Sequence, residues 1–548
     1  MQRFWRLLSP DKAEIRNVYV YAVFNGLINL SLPIGIQSII NLIQGGTMNT
    51  AWLLLVLLVV AGIAISGLLQ IGQLRISENL QQKIFTRAAF EFAYRIPRIR
   101  LEALNKLYAP ELMNRFFDVV TVQKSLTKVL IDFSTASIQI VFGLILLSIY
   151  HPFFIVFGLI LMLLVLVIIR LTARKGLETS LDESKHKYKI AHWLEELART
   201  HYTFKLAGET CLPMEEVNRR TEKYIDARDA HFSILVKQYA LMVSFKVLVA
   251  LGLLVIGGVL VMEQQMNVGQ FVAAEIIILL VIASVEKLVL SFETIYDMLT
   301  ALEKIGQVTD LELEGSEGLS IPSSEEGMQV SLQNVSFSYE GEKRNIVRDI
   351  SFEIQAGERL WISGQSDSGK STLLYLIGGL YRIDQGSIAL DGIPLGNYHP
   401  QLLRKEIGGY LRDEQLFDGT FMENITLGRE GISFEDIRKT VASMGLDDIV
   451  RSLSNGYDTQ IERQGRQFSK STIARVLLAR AIVNRPRLLL LENSFSVFSA
   501  QDRKQILEFL LSEEHAWTVV LTSSQNQEID HLIDRKIVLE NGTIKSHK

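Results

Sequence analysis

The chain has 548 residues, a formal net charge of −4 and a single cysteine, Cys211. That charge balance argues against a nucleic-acid partner, and one thiol excludes an internal disulfide framework and suits a reducing compartment. Hydrophobic residues make up 48 %, and the mean hydropathy of +0.22 is high for a fully soluble protein.

The start, "MQRFWRLLSPDKAEIR", is charged and has no apolar core ending at a small-residue cleavage site, so no cleavable signal peptide is expected. The first apolar stretch begins at Val18, which leaves no room before it for a peptidase or docking domain. Six apolar stretches follow: Val18–Ile43, Trp52–Ile71, Ile138–Tyr150 with its preceding turn, Phe153–Leu171, Leu241–Met262 and Phe271–Leu290. Each is close to the roughly 20 helical residues that cross about 30 Å of hydrocarbon. The third reaches that length when its helix starts near Leu130.

The short connectors "QGGTMNTA", "HP" and "EQQMN" carry no Lys or Arg, whereas Arg75–Lys128 and Arg170–Lys237 carry many. Basic residues stay on the cytoplasmic side, which puts both termini and the two long connectors there. The connectors read as helix continuous with the spans, giving a six-helix bundle with long cytoplasmic extensions. Inside it, Glu275 is an acid well within the sixth stretch, at a cost of about 2.5–3.5 kcal/mol at mid-bilayer. It faces either a cavity, touching substrate or protons, or an interhelical hydrogen bond. Lys246 is placed to snorkel, Glu286 and Lys287 to mark where the sixth helix emerges, and Pro33 to kink the first.

Past Leu302 the pattern changes. "DLELEGSEGLSIPSSEEG" reads as a solvated linker, and from Val330 strands alternate with helical runs in the layout of an α/β domain with a mostly parallel sheet. The expected division is a membrane domain over 1–305, a linker over 306–328 and an α/β P-loop domain over 329–548. "LWISGQSDSGKSTLLYLIGGL" sets Gly364, Gln365, Ser366, Asp367, Ser368, Gly369, Lys370, Ser371 and Thr372 between a strand and a helix. Glycines there let backbone N–H groups turn onto phosphates, Lys370 neutralises β/γ oxygens, and the Ser371 hydroxyl reaches magnesium. ATP and Mg²⁺ are the expected ligands. The histidines offer no metal-ligand spacing, and His192 and His201 read as surface residues.

The C-terminal region resembles the nucleotide-binding domain of ABC transporters. "VSFSYEGEKRNIVRDISFEIQAGERLWISG", "LFDGTFMENITLG" and "LARAIVNRPRLLLLE" carry the likeness, which implies that Tyr339 stacks on adenine. "LSLPIGIQSIINLI" is similar to the first span of type I secretion and bacteriocin exporters. "PELMNRFFDVVTVQ" and "LARTHYTFKLAGE" resemble the connectors whose coupling helices touch the nucleotide-binding domains. The resemblance implies a half-transporter of the bacterial inner membrane that works as a homo- or heterodimer. An adaptor protein and an outer-membrane channel are further partners it suggests.

The departures from the family pattern gather in the catalytic parts. In place of the signature LSGGQ stands "FSKST", Phe468, Ser469, Lys470, Ser471 and Thr472, with both glycines gone. Glu492 stands for the magnesium-strand Asp and Asn493 for the catalytic Glu. An amide cannot accept a proton near neutral pH, and loss of a positioned base costs about 10²–10⁴ in rate. Ser523 replaces the histidine that contacts the γ-phosphate. Arg412, with Gln415 nearby, replaces the loop glutamine, and Ser499 replaces the acid of the dimer-contacting loop. Three readings remain open: an export subunit that relies on a competent partner, a non-hydrolytic ATP-binding component of a secretion complex, and a self-sufficient homodimeric export ATPase.

Overall fold

The computed structural model describes residues 9–44, 50–105, 109–321, 324–342, 344–492, 495–523 and 530–547. It divides into two compact units: Met1–Pro97 with Leu107–Leu311, and Glu312–Lys548 with the short stretch Arg98–Lys106.

The first unit is built on six long helices: α1 (Lys12–Gln44), α2 (Thr50–Arg95), α3 (Asp118–Tyr150), α4 (Phe153–Arg199), α5 (Leu212–Met262) and α6 (Val268–Thr309). Each holds a window long and apolar enough to cross a membrane. All are longer than the roughly 20 residues a bilayer needs, and α5, at 51 residues, is about 75 Å long. The third span is one unbroken helix from Asp118, so the short apolar run at Ile138–Tyr150 is only its most hydrophobic part. Leu130 lies a full three turns inside it. The turn into α6 is fixed by a capping box between Asn267 and Gln270.

Several polar side chains of the six helices pair with one another, which lowers the cost of placing them among apolar neighbours. Gln238 donates to Thr172 Oγ1 and to the Tyr296 hydroxyl, both at 2.8 Å. Lys246 is ion-paired with Glu286 on α6, and Lys287 with Asp132 on α3 at 2.9 Å. Adjacent residues of α6 thus reach opposite neighbours. Glu275 is half-buried and makes no hydrogen bond or ion pair among the described residues.

The second unit holds two main sheets. Strands β1 (Val330–Phe337), β2 (Val347–Ile354), β4 (Gln385–Leu390) and β5 (Ile393–Pro394) form an antiparallel sheet in the order β2–β1–β4–β5. Strands β3 (Arg359–Gly364), β6 (Ile407–Tyr410), β9 (Leu488–Glu492), β10 (Thr518–Ser523), β11 (Arg535–Glu540) and β12 (Thr543–His547) form the other. Its order is β12–β11–β3–β10–β9–β6, parallel except at the β12 edge. A two-stranded ribbon pairs β7 (Gly419–Thr420) with β8 (Gln460–Ile461). Every residue of β9 and β10 is buried, which is why "LLLLE" and "TVVLTS" read as continuous rather than alternating runs. Helices α7 (Lys370–Ile377), α8 (Lys470–Ile482) and α9 (Ala500–Leu510) carry the segments of interest.

Two features lie outside the sequence reading. The alternation of strands and helices points to one parallel sheet and does not separate the antiparallel one. Strand β6, "IGGY", is hidden because two glycines erase its β signal. Gly408 is required there, since a Cβ would run into the Ala481 carbonyl.

Candidate functional site

The parallel sheet delivers its strand ends to one edge, where ligands of open α/β sheets bind. Strand β3 ends at Gly364, and the loop to α7 is shaped by left-handed backbone at Asp367 (φ 62°) and Gly369 (φ 96°). A Cβ at Gly369 would lie 2.8 Å from the Ile346 carbonyl, and one at Gly364 would collide with the Leu539 carbonyl. The loop therefore tolerates only backbone at these points, as a phosphate cradle requires. Gln365, Ser366 and Asp367 are exposed, while Ser368 and Thr372 are buried. Lys370 Nζ donates to the Gly364 carbonyl at 3.0 Å, the Gln365 carbonyl at 2.5 Å and Ser368 Oγ at 3.2 Å. Burial pulls the Lys370 pKa down against the opposing pull of Asp367. A cation held only by neutral oxygens is ready to exchange them for phosphate oxygens. The residues present fit ATP.

Tyr339 comes to the same place. Its hydroxyl lies 3.1 Å from Thr372 Oγ1, and its ring meets Phe337 and Tyr381 edge-on at 5.1 and 5.5 Å. Tyr381 in turn stacks on Tyr375 at 6.2 Å. Glu492, at the end of β9, accepts from the Arg412 backbone N–H at 2.9 Å and from the Tyr375 hydroxyl at 3.3 Å. The phosphate loop, Tyr339 and Glu492 thus converge. Tyr375 escapes a reading of the sequence, where a tyrosine in an apolar helix reads as core.

The substituted positions are engaged internally. Ser523 is 4 % exposed and its Oγ accepts from Trp361 Nε1–H at 3.0 Å. Ser469 is the N-cap of α8: its Oγ accepts from the Thr472 N–H at 3.1 Å and lies 2.9 Å from both the Ser471 and Thr472 hydroxyls. Phe468 is half-buried against Phe421, and Lys470 is exposed. Ser499 caps α9, accepting from the Asp502 N–H at 3.1 Å. Asn493 lies outside the described residues. Among the described residues no hydrogen bond joins the "FSKST" segment to the phosphate loop.

Two residues past Arg412, Glu414 is half-buried beside Arg480, whose Nη1 is 3.8 Å away. Arg480 ties the following segment together, donating to the Asn424 carbonyl, Asn424 Oδ1 and the Gln415 carbonyl at 2.8, 3.2 and 3.0 Å. Burial pushes the Glu414 pKa up to about 7, with Arg480 opposing.

Two family models match the chain: the ABC transporter transmembrane region over residues 16–285, and the ABC transporter domain over 347–496. Among curated proteins, the chain is 27 % identical over 330 residues to the putative multidrug export ATP-binding/permease protein YgaD of Bacillus subtilis. That match covers 60 % of this chain and 57 % of the relative. It is 29 % and 30 % identical over 290 residues to the leukotoxin translocation ATP-binding protein LktB of Mannheimia glucosida and Mannheimia haemolytica. Those matches cover 53 % of this chain and 40 % of each relative. The chain spans about half the length of the curated relatives it matches. The structure of a bacterial Atm1-family ABC exporter with ATP bound superposes with a TM-score of 0.86 at 18 % identity, covering 98 % of this chain and 95 % of that one. That likeness is one of fold.

Proposed function

Because the chain belongs to the ABC transporter family, with an exporter-type membrane region ahead of a nucleotide-binding domain, we propose that it is an export subunit that holds ATP and turns it over poorly by itself. In this reading a competent second half-transporter supplies the missing groups. The observation that carries it is the contrast between two strand ends of one sheet. At β3 the phosphate loop keeps its cradle and its exchangeable lysine; at β10 Ser523 is spent on the Trp361 indole instead of facing a phosphate.

Bound magnesium would neutralise phosphate charge and orient the γ-phosphate. The chain's own residues do the rest of the holding. Lys370 exchanges loop carbonyls for phosphate oxygens, Ser371 and Glu492 stand on the magnesium side, and Tyr339 offers its ring to the base. A proton acceptor is what this set lacks, since Asn493 cannot serve as a base. Similarity to proteins named for leukotoxin translocation and multidrug export supports export across the bacterial inner membrane of a peptide, protein or other amphipathic substrate. An adaptor and an outer-membrane channel belong to the same proposal, as does a cytoplasmic nucleotide-binding domain, supported by the basic connectors.

One observation favours a second reading, a non-hydrolytic ATP-binding component of a secretion complex. The "FSKST" helix end is capped by its own hydroxyls in the very chain whose magnesium strand is altered. A partner's nucleotide would then also meet an altered signature.

Nucleotide binding and magnesium-dependent turnover, measured together on the full chain in lipid nanodiscs, test the proposal. Binding with little turnover is expected, rising when an intact half-transporter is present. Turnover at an ordinary transporter rate by this chain alone, abolished by Lys370→Ala, would overturn it.

A further inference from the structure

Tyr375 makes a polar contact to which nothing above gives a role. It stands one turn beyond Ser371 on α7, at i+4, and so on the same face of the helix. Its hydroxyl and the Arg412 backbone N–H both donate to one oxygen of Glu492, Oε2. The other oxygen, Oε1, makes no hydrogen bond among the described residues, although Glu492 is only 4 % exposed. A glutamate carries one methylene and one torsion more than an aspartate, so its carboxylate is harder to place. Two donors meeting on a single oxygen remove that freedom and leave the second oxygen uncommitted.

We propose that Tyr375 is a positioning residue for the magnesium of bound nucleotide: with the Arg412 amide it fixes Glu492 through Oε2 and leaves Oε1 to the metal. The inference rests on the ATP-binding reading above and adds Tyr375 to the residues that serve it. The phenol is well held for the task. Its ring stacks on Tyr381, which meets Tyr339 edge-on, so the run of rings that starts beside the phosphate loop backs the hydroxyl.

The test is equilibrium binding of trinitrophenyl-ATP to the full chain in nanodiscs, with magnesium and with EDTA. Tyr375→Phe keeps the ring and its stacking and removes only the hydroxyl. Its metal-free affinity should stay within about twofold of the parent, while the gain in affinity on adding magnesium falls roughly three- to tenfold, as expected for the loss of one hydrogen bond of ordinary net strength. In a Glu492→Asp background the shorter acid no longer reaches the phenol, and Tyr375→Phe should then change the magnesium gain no further. An unchanged magnesium gain in Tyr375→Phe, or an equal loss with and without metal, would overturn the assignment. Failure of the parent chain to bind the probe under either condition would instead overturn the ATP-binding reading, and this inference with it.

Discussion

Trp361 Nε1–H donates to Ser523 Oγ at 3.0 Å between neighbouring parallel strands, with both side chains buried in the central sheet. The Lys536 ammonium covers the face of the same indole at 3.6 Å. An indole N–H has no second way to be satisfied in such a place, so Ser523 serves the core first.

Ser523→Ala should therefore act on stability. Removing the acceptor strands a buried N–H, at a cost of about 1–3 kcal/mol. Thermal unfolding of the full chain should show a lowered midpoint for the nucleotide-binding unit. An unshifted midpoint would mean that the bond contributes nothing.

Asn493→Glu restores a carboxylate able to take a proton, a change worth about 10²–10⁴ in an otherwise complete site. Here the gain in turnover should be less than about tenfold, because catalytic groups act as a unit and Ser523 and "FSKST" remain as they are. Phosphate release over time checks this. A gain of about a hundredfold or more would identify Asn493 as the one deficient position.

Glu414 predicts a pH dependence. Its pKa is raised from the ordinary value of 4.5 to about 7 in the folded chain, by burial. Between those values the unfolded chain has lost the proton that the native one still holds, so stability falls as pH rises through that window and levels off above it. Glu414→Gln should flatten the profile. Thermal midpoints measured from pH 5 to 8 give the comparison, and a slope that survives the substitution would assign it elsewhere.

In the membrane unit, Gly176 of α4 lies against Tyr296 of α6, and a Cβ at Gly176 would fall 2.7 Å from the tyrosine hydroxyl and closer still to its ring. Tyr296 is anchored by Gln238 and is 2 % exposed, so it has little room to yield. Gly176→Ala should cost roughly 1–3 kcal/mol by overpacking, read as a lowered thermal aggregation temperature in detergent. Gly67→Ala serves as the control, since nothing lies within 4 Å of a Cβ there. Equal behaviour of the two variants would show that the contact with Tyr296 is not tight.

The legible parts of this chain are those whose physics is local. Hydropathy over one helix length finds the six spans, and the Gly364 to Ser371 spacing finds the phosphate loop, because each depends only on neighbours in sequence. What escapes depends on distant partners. Nothing near Ser523 announces an indole 162 positions earlier. Nothing near Tyr375 announces Glu492, and the glycines of "IGGY" conceal a strand whose register is set by β9. The pairing of Lys246 with Glu286 and of Lys287 with Asp132 is equally invisible, since each charge alone suggests only the membrane boundary.

The short stretch Arg98–Lys106 lies between α2 and α3 in sequence yet packs with Glu312–Lys548. Backbone bonds join Arg100 N–H to the Glu312 carbonyl and Glu314 N–H to the Arg98 carbonyl, at 3.0 and 2.8 Å. Glu102 accepts from the Arg382 N–H at 2.8 Å, and Asn105 from the Tyr381 hydroxyl at 3.1 Å. The nucleotide-binding half is consequently not an excisable module. A recombinant fragment starting at the linker would leave behind a piece of its own fabric, with Arg382 and Tyr381 facing water. Measurements on such a fragment would describe a damaged object, and the aromatic run that ends on Asn105 would be the first part to loosen.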